Sequence, residues 1–254
     1  MSIIFNENFF KKLGTIKLSK PTGQLSGHNS GEPFSEEIYK FLKKNSKKIY
    51  KQYEYLNNVL KKNIHYQTLD DRKKLFKGPF NKLMIYKKEA TIKKWSINNL
   101  ISEKQDDTAD ILYIDNKTNG IIDVKTRNLN KKGQAPNIIS CEKLAIFCKN
   151  LIKEENYEKI EINYIGIDWD LKKNEMISNK INVVDLFKIN PETIYINWAA
   201  ALQIQFHIDK VDQTYKKNKK QWAKDFTKKY VSSYKNRQKK QDEKMKPFIE
   251  LIKD

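Results

Sequence analysis

The spacing of hydrophobic positions changes near residue 108, and this change separates helical from extended stretches of the chain. Before it, the apolar residues of SEEIYKFLKKN recur at helical spacing, which predicts a helix beginning at Ser35. The preceding residues 14–33 are rich in glycine and proline and predict an irregular segment, while residues 49–62 predict helical or mixed structure.

From residue 108 onward, short apolar runs favour strands. The runs ADILYID and NGIIDVKT are joined by DNKTNG, whose Asn-Gly step is a strong turn signal, so we expect a β-hairpin. The stretch IISCEKLAIFCKNLIK predicts an amphipathic helix from about 138 to 153, and KIEINYIGIDWDL predicts a strand. TIYINWAAALQIQFH fits a strand or a helix equally well.

The C-terminal residues, from about 211 to 254, predict a basic helical segment. They carry 14 Lys or Arg against 6 Asp or Glu, with Tyr215, Trp222, Phe226 and Tyr230 at helical spacing. The pattern leaves open whether this segment clamps DNA or acts as a dimer arm. Because 254 residues can bury one sizeable core, we expect residues 1–254 to form a single domain.

The net charge of +19 indicates a polyanionic partner, most often nucleic acid and less often a membrane surface. Part of the lysine excess also fits drift toward AT-rich codons. No apolar run approaches the roughly 18 residues of a membrane helix, and the first residues lack a signal-peptide pattern. Cys141 and Cys148 lie seven apart, too far on one helix face for an easy disulfide, so we expect a cytoplasmic protein.

Acidic residues stand on the predicted hairpin of this basic chain. Asp110 heads the first strand, and Asp123 and Lys125 lie two apart on the second, so these two side chains share a face. Two carboxylates could hold Mg²⁺ beside a phosphodiester, with the carbonyl of Val124 as a further ligand. A lysine suits phosphate cleavage, because an ammonium can hold the attacking water. The spacing is short enough that a surface hairpin with solvated charges also explains it.

Longer stretches raise the specificity of this pattern. The chain resembles the type II restriction endonucleases of the PD-(D/E)xK superfamily, in particular the HincII family, through LSGHNSGEPF, KQYEYLN, EKQDDTADIL, DVKTRN, QAPNIIS and YINWAAALQIQFH. Thr108-Ala109-Asp110 stands where the superfamily has Pro-Asp, a departure shared with the family it resembles.

The resemblance implies an α/β, restriction-endonuclease-like fold with a mixed central β-sheet flanked by helices and with the catalytic residues at its edge. It also implies a homodimer that cuts both strands of a palindromic duplex site with Mg²⁺ and leaves 5′-phosphates. The implied site is similar to GTYRAC, cut at its centre to blunt ends. A cognate DNA methyltransferase is the implied second partner.

The resemblance further implies which residues act. Asp110, Asp123 and Lys125 are the implied catalytic residues, with Asp110, Asp123 and Val124 at the metal. Gln134 would wedge into the DNA from the minor groove, and Asn137 beside it would contact a base edge. The other implied DNA contacts are Gln105, Ala135, Tyr195 and Asn197, to which the strand pattern adds Arg127 as a phosphate contact. We expect structural or surface roles for His28, His65 and His207, supporting roles for Glu32 and Glu36 at most, and core positions for Trp95 and Trp198.

Two other functional classes remain open on the residues alone. A structure-specific DNA repair or junction nuclease would share the Asp-Val-Lys core but cut without sequence preference. A non-catalytic basic nucleic-acid-binding protein would explain the charge, yet it would leave Asp110 and Asp123 repelling phosphate with no purpose.

Overall fold

A mixed six-stranded β-sheet forms the centre of the computed structural model. The structure describes residues 7–23, 25, 27–63, 68–96, 98–102, 108–131, 135–154, 159–199 and 202–252, without the side chains of 27–29, 69, 73 and 89. Its strands are β1 Lys17–Ser19, β2 Ile49–Tyr50, β3 Ile111–Ile114, β4 Asn119–Asn128, β5 Asn137–Ser140, β6 Ile160–Lys172, β7 Glu175–Asp185, β8 Tyr195–Asn197 and β9 Gln203–Gln205. Its α-helices are α1 Glu7–Phe10, α2 Gly27–Asn45, α3 Gln52–Lys62, α4 Leu69–Leu75, α5 Pro79–Met84, α6 Glu89–Lys93, α7 Cys141–Lys153 and α8 Lys219–Leu251.

The central sheet has the strand order β1-β7-β6-β4-β3-β2. Only β4 and β6 pair in parallel within it, and the remaining neighbours are antiparallel. A separate three-stranded antiparallel sheet has the order β5-β9-β8. The predicted mixed sheet is therefore confirmed, but the acidic residues do not lie on an edge strand: Asp123 lies on β4 and Asp110 immediately precedes β3, and both strands are interior.

The two faces of the central sheet are covered by different helices. Alternate residues of β4 supply both cores, since Ile121 packs with residues of α3, α5, α7 and α8 while Ile122 and Val124 pack with residues of α1 and α2. Burial on both faces fixes the register of β4, because a slip of one residue would exchange its two sets of side chains. The predicted hairpin of β3 and β4 and the predicted strand now seen as β6 are confirmed.

Helix α2 begins earlier than predicted, at Gly27 instead of Ser35, and it runs through Pro33. Its first half packs on the sheet: a Cβ placed on Gly31 would stand 3.5 Å from Oγ1 of Thr126, and Phe34 is fully buried. Packing against the sheet outweighs the low helix propensity of glycine and proline here. The irregular segment expected over residues 14–33 thus contains β1 and the start of a helix.

The predicted helix at 138–153 also has a different beginning. Ile138 and Ile139 belong to β5, and α7 starts at Cys141 after Ser140, whose side chain accepts a hydrogen bond from the backbone N–H of Lys143 at 3.3 Å. The apolar pair is buried in either conformation, so periodicity could not separate a short strand from a first helical turn. Cys141 and Cys148 are buried free thiols, as their spacing predicted.

Several other stretches are clarified by the structure. Residues 49–62 divide into β2 and α3, and the ambiguous TIYINWAAALQIQFH stretch contains β8 and β9. Trp95 is buried as predicted, whereas Trp198 is only partly buried and stacks on Tyr230. Among the described helices, none combines the length and apolarity needed to cross a membrane.

The basic C-terminal segment is helical from Lys219, so Tyr215 precedes the helix that its spacing was expected to share. The helix starts at the N-cap Asn218 and buries Trp222 and Phe226 against the core. Nearly all of its residues after Tyr230 are exposed.

Gly166 of β6 provides a test of the packing below β4. A Cβ at this position would stand 2.6 Å from Cγ2 of Ile208, and Gly166 lies opposite Lys125 in the parallel pair. We expect Gly166→Ala to lower the free energy of unfolding by about 1–3 kcal/mol because it overpacks this contact. Urea denaturation measures the free energy of unfolding of this variant, of Ile208→Ala and of the double variant, which together form a double-mutant cycle. Additive costs in that cycle would show that the contact with Ile208 is not the cause.

Candidate active site

Strand β4 extends beyond the point where its neighbour β3 stops pairing with it, and a cleft lies beside this extension. The last paired residues are Ile111 and Ile122, and beyond them β4 continues to Asn128 beside β6. The cleft has a volume of about 900 Å³ and is bounded on one side by residues of α2 and on the other by residues of β5 and α7. Residues from Asp123 onward therefore lie on a strand whose β3 side faces the cleft.

The structure brings Asp110, Asp123 and Lys125 together in this cleft. The ammonium of Lys125 lies 2.7 Å from Oδ2 of Asp123. Asp110, immediately before β3, accepts a hydrogen bond at 2.7 Å from the backbone N–H of Val124. The carboxylate of Asp110 thus takes the place that a strand partner would occupy, and this bond fixes it beside Asp123.

Burial and mutual repulsion dominate the electrostatics of the two acids. Desolvation first, and then the charge of Asp123 and a hydrogen bond to it, raise the pKa of Asp110 to about 8. Burial alone would lower the pKa of Lys125, but the neighbouring charges of Asp123 and Asp110 outweigh it and raise that pKa. At neutral pH Asp110 therefore keeps its proton and Lys125 is charged. This arrangement is suited to exchange the proton for a cation.

The donor set fits a hard divalent cation. Asp110 and Asp123 supply carboxylate oxygens, which Mg²⁺ prefers. The N–H and C=O of one strand residue point to the same side, so the carbonyl of Val124 faces the side from which Asp110 binds its N–H. Within the described part of the chain, no group of three or more His, Cys, Asp or Glu side chains is placed to hold a metal. Mg²⁺ in such sites usually keeps several waters and binds phosphate oxygens of the substrate beside one or two carboxylates.

The predicted supporting acids line the same cleft from helix α2. Glu36 pairs with Lys51 at 2.7 Å, and Glu32 lies one turn earlier on the helix. Neither belongs to the group formed by Asp110, Asp123 and Lys125.

The predicted DNA contacts are found in two places. Asn137 lines the cleft with its neighbour Pro136, and Ala135 precedes them. Tyr195 and Asn197 lie on β8 of the three-stranded sheet, where Tyr195 is 62% exposed. Gln105 and Gln134 lie outside the described residues, as does His65, and the side chain of His28 is not described.

Arg127 is held by carboxylates of the protein itself. Its Nε and Nη2 donate to Asp168 at 2.9 and 2.8 Å, and its Nη1 and Nη2 donate to Asp209 at 3.1 and 2.9 Å. The hydrogen bonds that Arg127 donates to Asp168 are the largest cause of the raised pKa of Arg127. These bonds use four of the five N–H groups of Arg127, so they give it a structural role, and the contact with DNA phosphate stays a prediction for the fifth, on Nη1.

Other residues at the cleft gave no signal in the sequence. The amide oxygen of buried Gln52 accepts hydrogen bonds from the N–H groups of Thr108 and Ala109 at 2.9 and 3.1 Å, which fixes the approach to Asp110. The ammonium of Lys143 donates to Oγ1 of Thr108 at 3.0 Å and lines the cleft. These contacts join residues at least 35 positions apart, so no local spacing reveals them.

A mixed sheet flanked by helices, with paired carboxylates and a lysine beside an interior strand, defines the class of the restriction-endonuclease-like enzymes. The sequence model of the family "Restriction endonuclease HincII" matches residues 9–252. The chain therefore belongs to the HincII family of restriction endonucleases. It is similar to two type II restriction enzymes of Haemophilus influenzae, HindII at 42% and HincII at 41% identity, each over 93% of both chains.

The predicted family and the enzyme class, a type II restriction endonuclease, are confirmed by these matches. Enzymes of this family act on DNA and generally use a divalent metal ion.

The raised pKa of Asp110 makes the stability of the metal-free protein depend on pH. Folded Asp110 keeps its proton up to about pH 8, whereas the unfolded chain releases it near 3.8. Between these values the unfolded state binds fewer protons, so stability falls as pH rises. We expect Asp110→Asn to remove this slope and to unfold at a higher temperature than the wild type at pH 7–8 in EDTA.

Asp115 provides the control, since a hydrogen bond from Lys48 lowers its pKa to about 2. Its contribution to stability is lost only as the pH falls below about 4, so Asp115→Asn should keep the wild-type slope between pH 5 and 8. A wild-type slope in Asp110→Asn would contradict the assigned protonation of the acid pair.

Proposed function

We propose that the protein hydrolyses both strands of duplex DNA at a short palindromic site, with Asp110, Asp123 and Lys125 as the catalytic residues and Mg²⁺ as the cofactor. The observation that carries this proposal is the meeting of the three side chains in the cleft beside β4. Membership of the HincII family supplies the class of reaction.

Asp110, Asp123 and the carbonyl of Val124 would hold the Mg²⁺. Bound there, the ion would offset charge on the phosphate and lower the pKa of a coordinated water. Loss of the Asp110 proton would add a negative charge to bind the ion, and the hydrogen bond from Val124 keeps Asp110 in position. The buried setting strengthens these interactions, because few water molecules screen them.

Lys125 distinguishes this group from a site that only binds metal. Its ammonium lies 2.7 Å from Asp123, which orients it toward the cleft. We assign it to hold the attacking water and to donate a hydrogen bond to a nonbridging phosphate oxygen, where negative charge develops. The water oxygen forms a bond to phosphorus as the bond to the 3′ oxygen breaks, which leaves a 5′-phosphate and a 3′-hydroxyl.

We propose that the DNA lies across the cleft and the adjoining three-stranded sheet. The net charge of +19 favours binding to its phosphates. Asn137, which lines the cleft, would contact a base, and Gln134 would be the wedge that unstacks a base step. The remaining proposed contacts are Gln105, Ala135, Tyr195 and Asn197.

A palindromic site requires two-fold symmetry, so we propose a homodimer in which each subunit, a single domain, cuts one strand. A site related to GTYRAC, cut at its centre to blunt ends, follows from the family resemblance. The pyrimidine–purine step at its centre deforms cheaply, which suits recognition through DNA shape. A methyltransferase of the same specificity would protect the host DNA.

Two rival activities are separated from this proposal by what they do to DNA of known sequence. A structure-specific repair nuclease would cut at junctions or damage and give no fixed fragments on an intact plasmid. A non-catalytic binding protein would retain the DNA without cutting it. The buried acid pair argues against the latter, because binding alone would not compensate for its repulsion of phosphate.

Plasmid digestion with Mg²⁺ tests the proposal. We expect discrete fragments from the wild type, and a loss of at least about a hundredfold in rate for Asp123→Ala and for Lys125→Ala, because each removes a group that acts on the scissile phosphate. Asp115→Ala and Lys117→Ala change the same residue types in the turn at the far end of the hairpin and should cut at the wild-type rate. Undiminished cutting by the first pair would refute the assignment, and a smear from the wild type would favour the repair nuclease.

A further inference from the structure

The three-stranded sheet presents one polar face beside the catalytic cleft. Gln205 lies in its middle strand, opposite Asn137 of β5 on one side and Tyr195 of β8 on the other. Ile204, the residue before it, is buried on the opposite face. Because Asn137 also lines the cleft, this face continues from the acid pair. A duplex in the cleft would lie against it.

Three side-chain amides form a chain of hydrogen bonds across this face. Nδ2 of Asn197 donates to Oε1 of Gln205 at 3.2 Å, and Nε2 of Gln205 donates to Oδ1 of Asn137 at 2.7 Å. The only side chain common to both bonds is that of Gln205. It therefore couples the orientations of two amides that belong to different strands.

A backbone N–H group determines which end of each of the three amides is the oxygen and which is the nitrogen. The N–H of Ala199 donates to Oδ1 of Asn197 at 3.0 Å, and a backbone N–H can only donate. The oxygen of Asn197 must face Ala199, so its nitrogen faces Gln205. Gln205 must then present its oxygen to Asn197 and its nitrogen to Asn137. The reversed assignment of all three amides would leave the Ala199 N–H facing another donor.

We propose that Gln205 is a positioning residue for sequence recognition, which rests on the proposed function of this site. Through its bond to Oδ1, it turns the Nδ2 group of Asn137 toward the DNA. A donor there selects a base edge that offers an acceptor, as N7 and O6 of guanine, N7 of adenine and O4 of thymine do in the major groove. The substrate feature read through Gln205 is therefore a hydrogen-bond acceptor on a base edge, once in each half-site.

Changing Gln205 to glutamate gives a directional test. The carboxylate still accepts from Asn197, but its second oxygen now faces Oδ1 of Asn137 where a donor stood. The amide of Asn137 should turn over, donate to the new carboxylate and present its oxygen to the DNA. We expect Gln205→Glu to shift the preference at one base pair per half-site toward a base that offers an amino group at the contacted edge.

The measurement is cleavage of a duplex library randomised at each position of the preferred site. Gln205→Leu, which makes neither bond, should lower discrimination at the same base pair by about tenfold or more without creating a new preference. Asn116→Asp adds the same charge in the turn of the hairpin, at the end remote from the cleft, and should keep the wild-type pattern. Thermal melting of each variant controls for folding.

Three results would overturn the inference. The first is a wild-type base preference in both Gln205→Glu and Gln205→Leu. The second is an equal loss of cutting on every sequence, and the third is the same relaxed base preference in the two variants. The last two indicate a role in holding the sheet alone. Failure of the proposed function is distinguishable, because the wild type would then show no sequence preference before any substitution is made.

Discussion

The site depends on one interaction, the hydrogen bond from the backbone N–H of Val124 to the carboxylate of Asp110. Strand β3 begins only after Asp110, so β4 would otherwise present an unpaired backbone group to the cleft at this point. The carboxylate satisfies that group and is thereby held against Asp123. The acid pair is thus formed at the point where the pairing of β3 with β4 ends.

Hydrogen bonds and ion pairs from several elements fix the backbone and the strand around this bond. Gln52 holds the backbone that leads into Asp110, and Arg127 joins β4 to Asp168 of β6 and to Asp209 beyond β9. Such contacts restrict the movement of Asp110 and Asp123, as the proposed catalysis requires of groups that act on a phosphate. The cost is a buried acid whose pKa is raised by its setting, as is common where activity is favoured over stability.

Local sequence patterns were sufficient for the parts of the fold that depend on near neighbours. The segment DNKTNG correctly predicted the hairpin, although its Asn119-Gly120 step begins β4 and the turn itself is formed by residues 115–118. The two-residue spacing placed Asp123 and Lys125 together on one strand. The early start of α2 depends on packing against β4, and the strand character of Ile139 depends on pairing with Ile204 of β9, so neither could be read locally. Long-range partners such as Asp209 for Arg127, or Asn137 for Gln205, leave no periodic signal.

Locating the bound metal tests the central claim most directly. Crystals containing Mn²⁺ and a duplex substrate should give an anomalous difference peak about 2.1 Å from carboxylate oxygens of both Asp110 and Asp123 and close to the carbonyl of Val124. The same experiment on Asp123→Asn should show a peak of greatly reduced height. A full-strength peak away from the acid pair, or one that survives this substitution unchanged, would contradict the account.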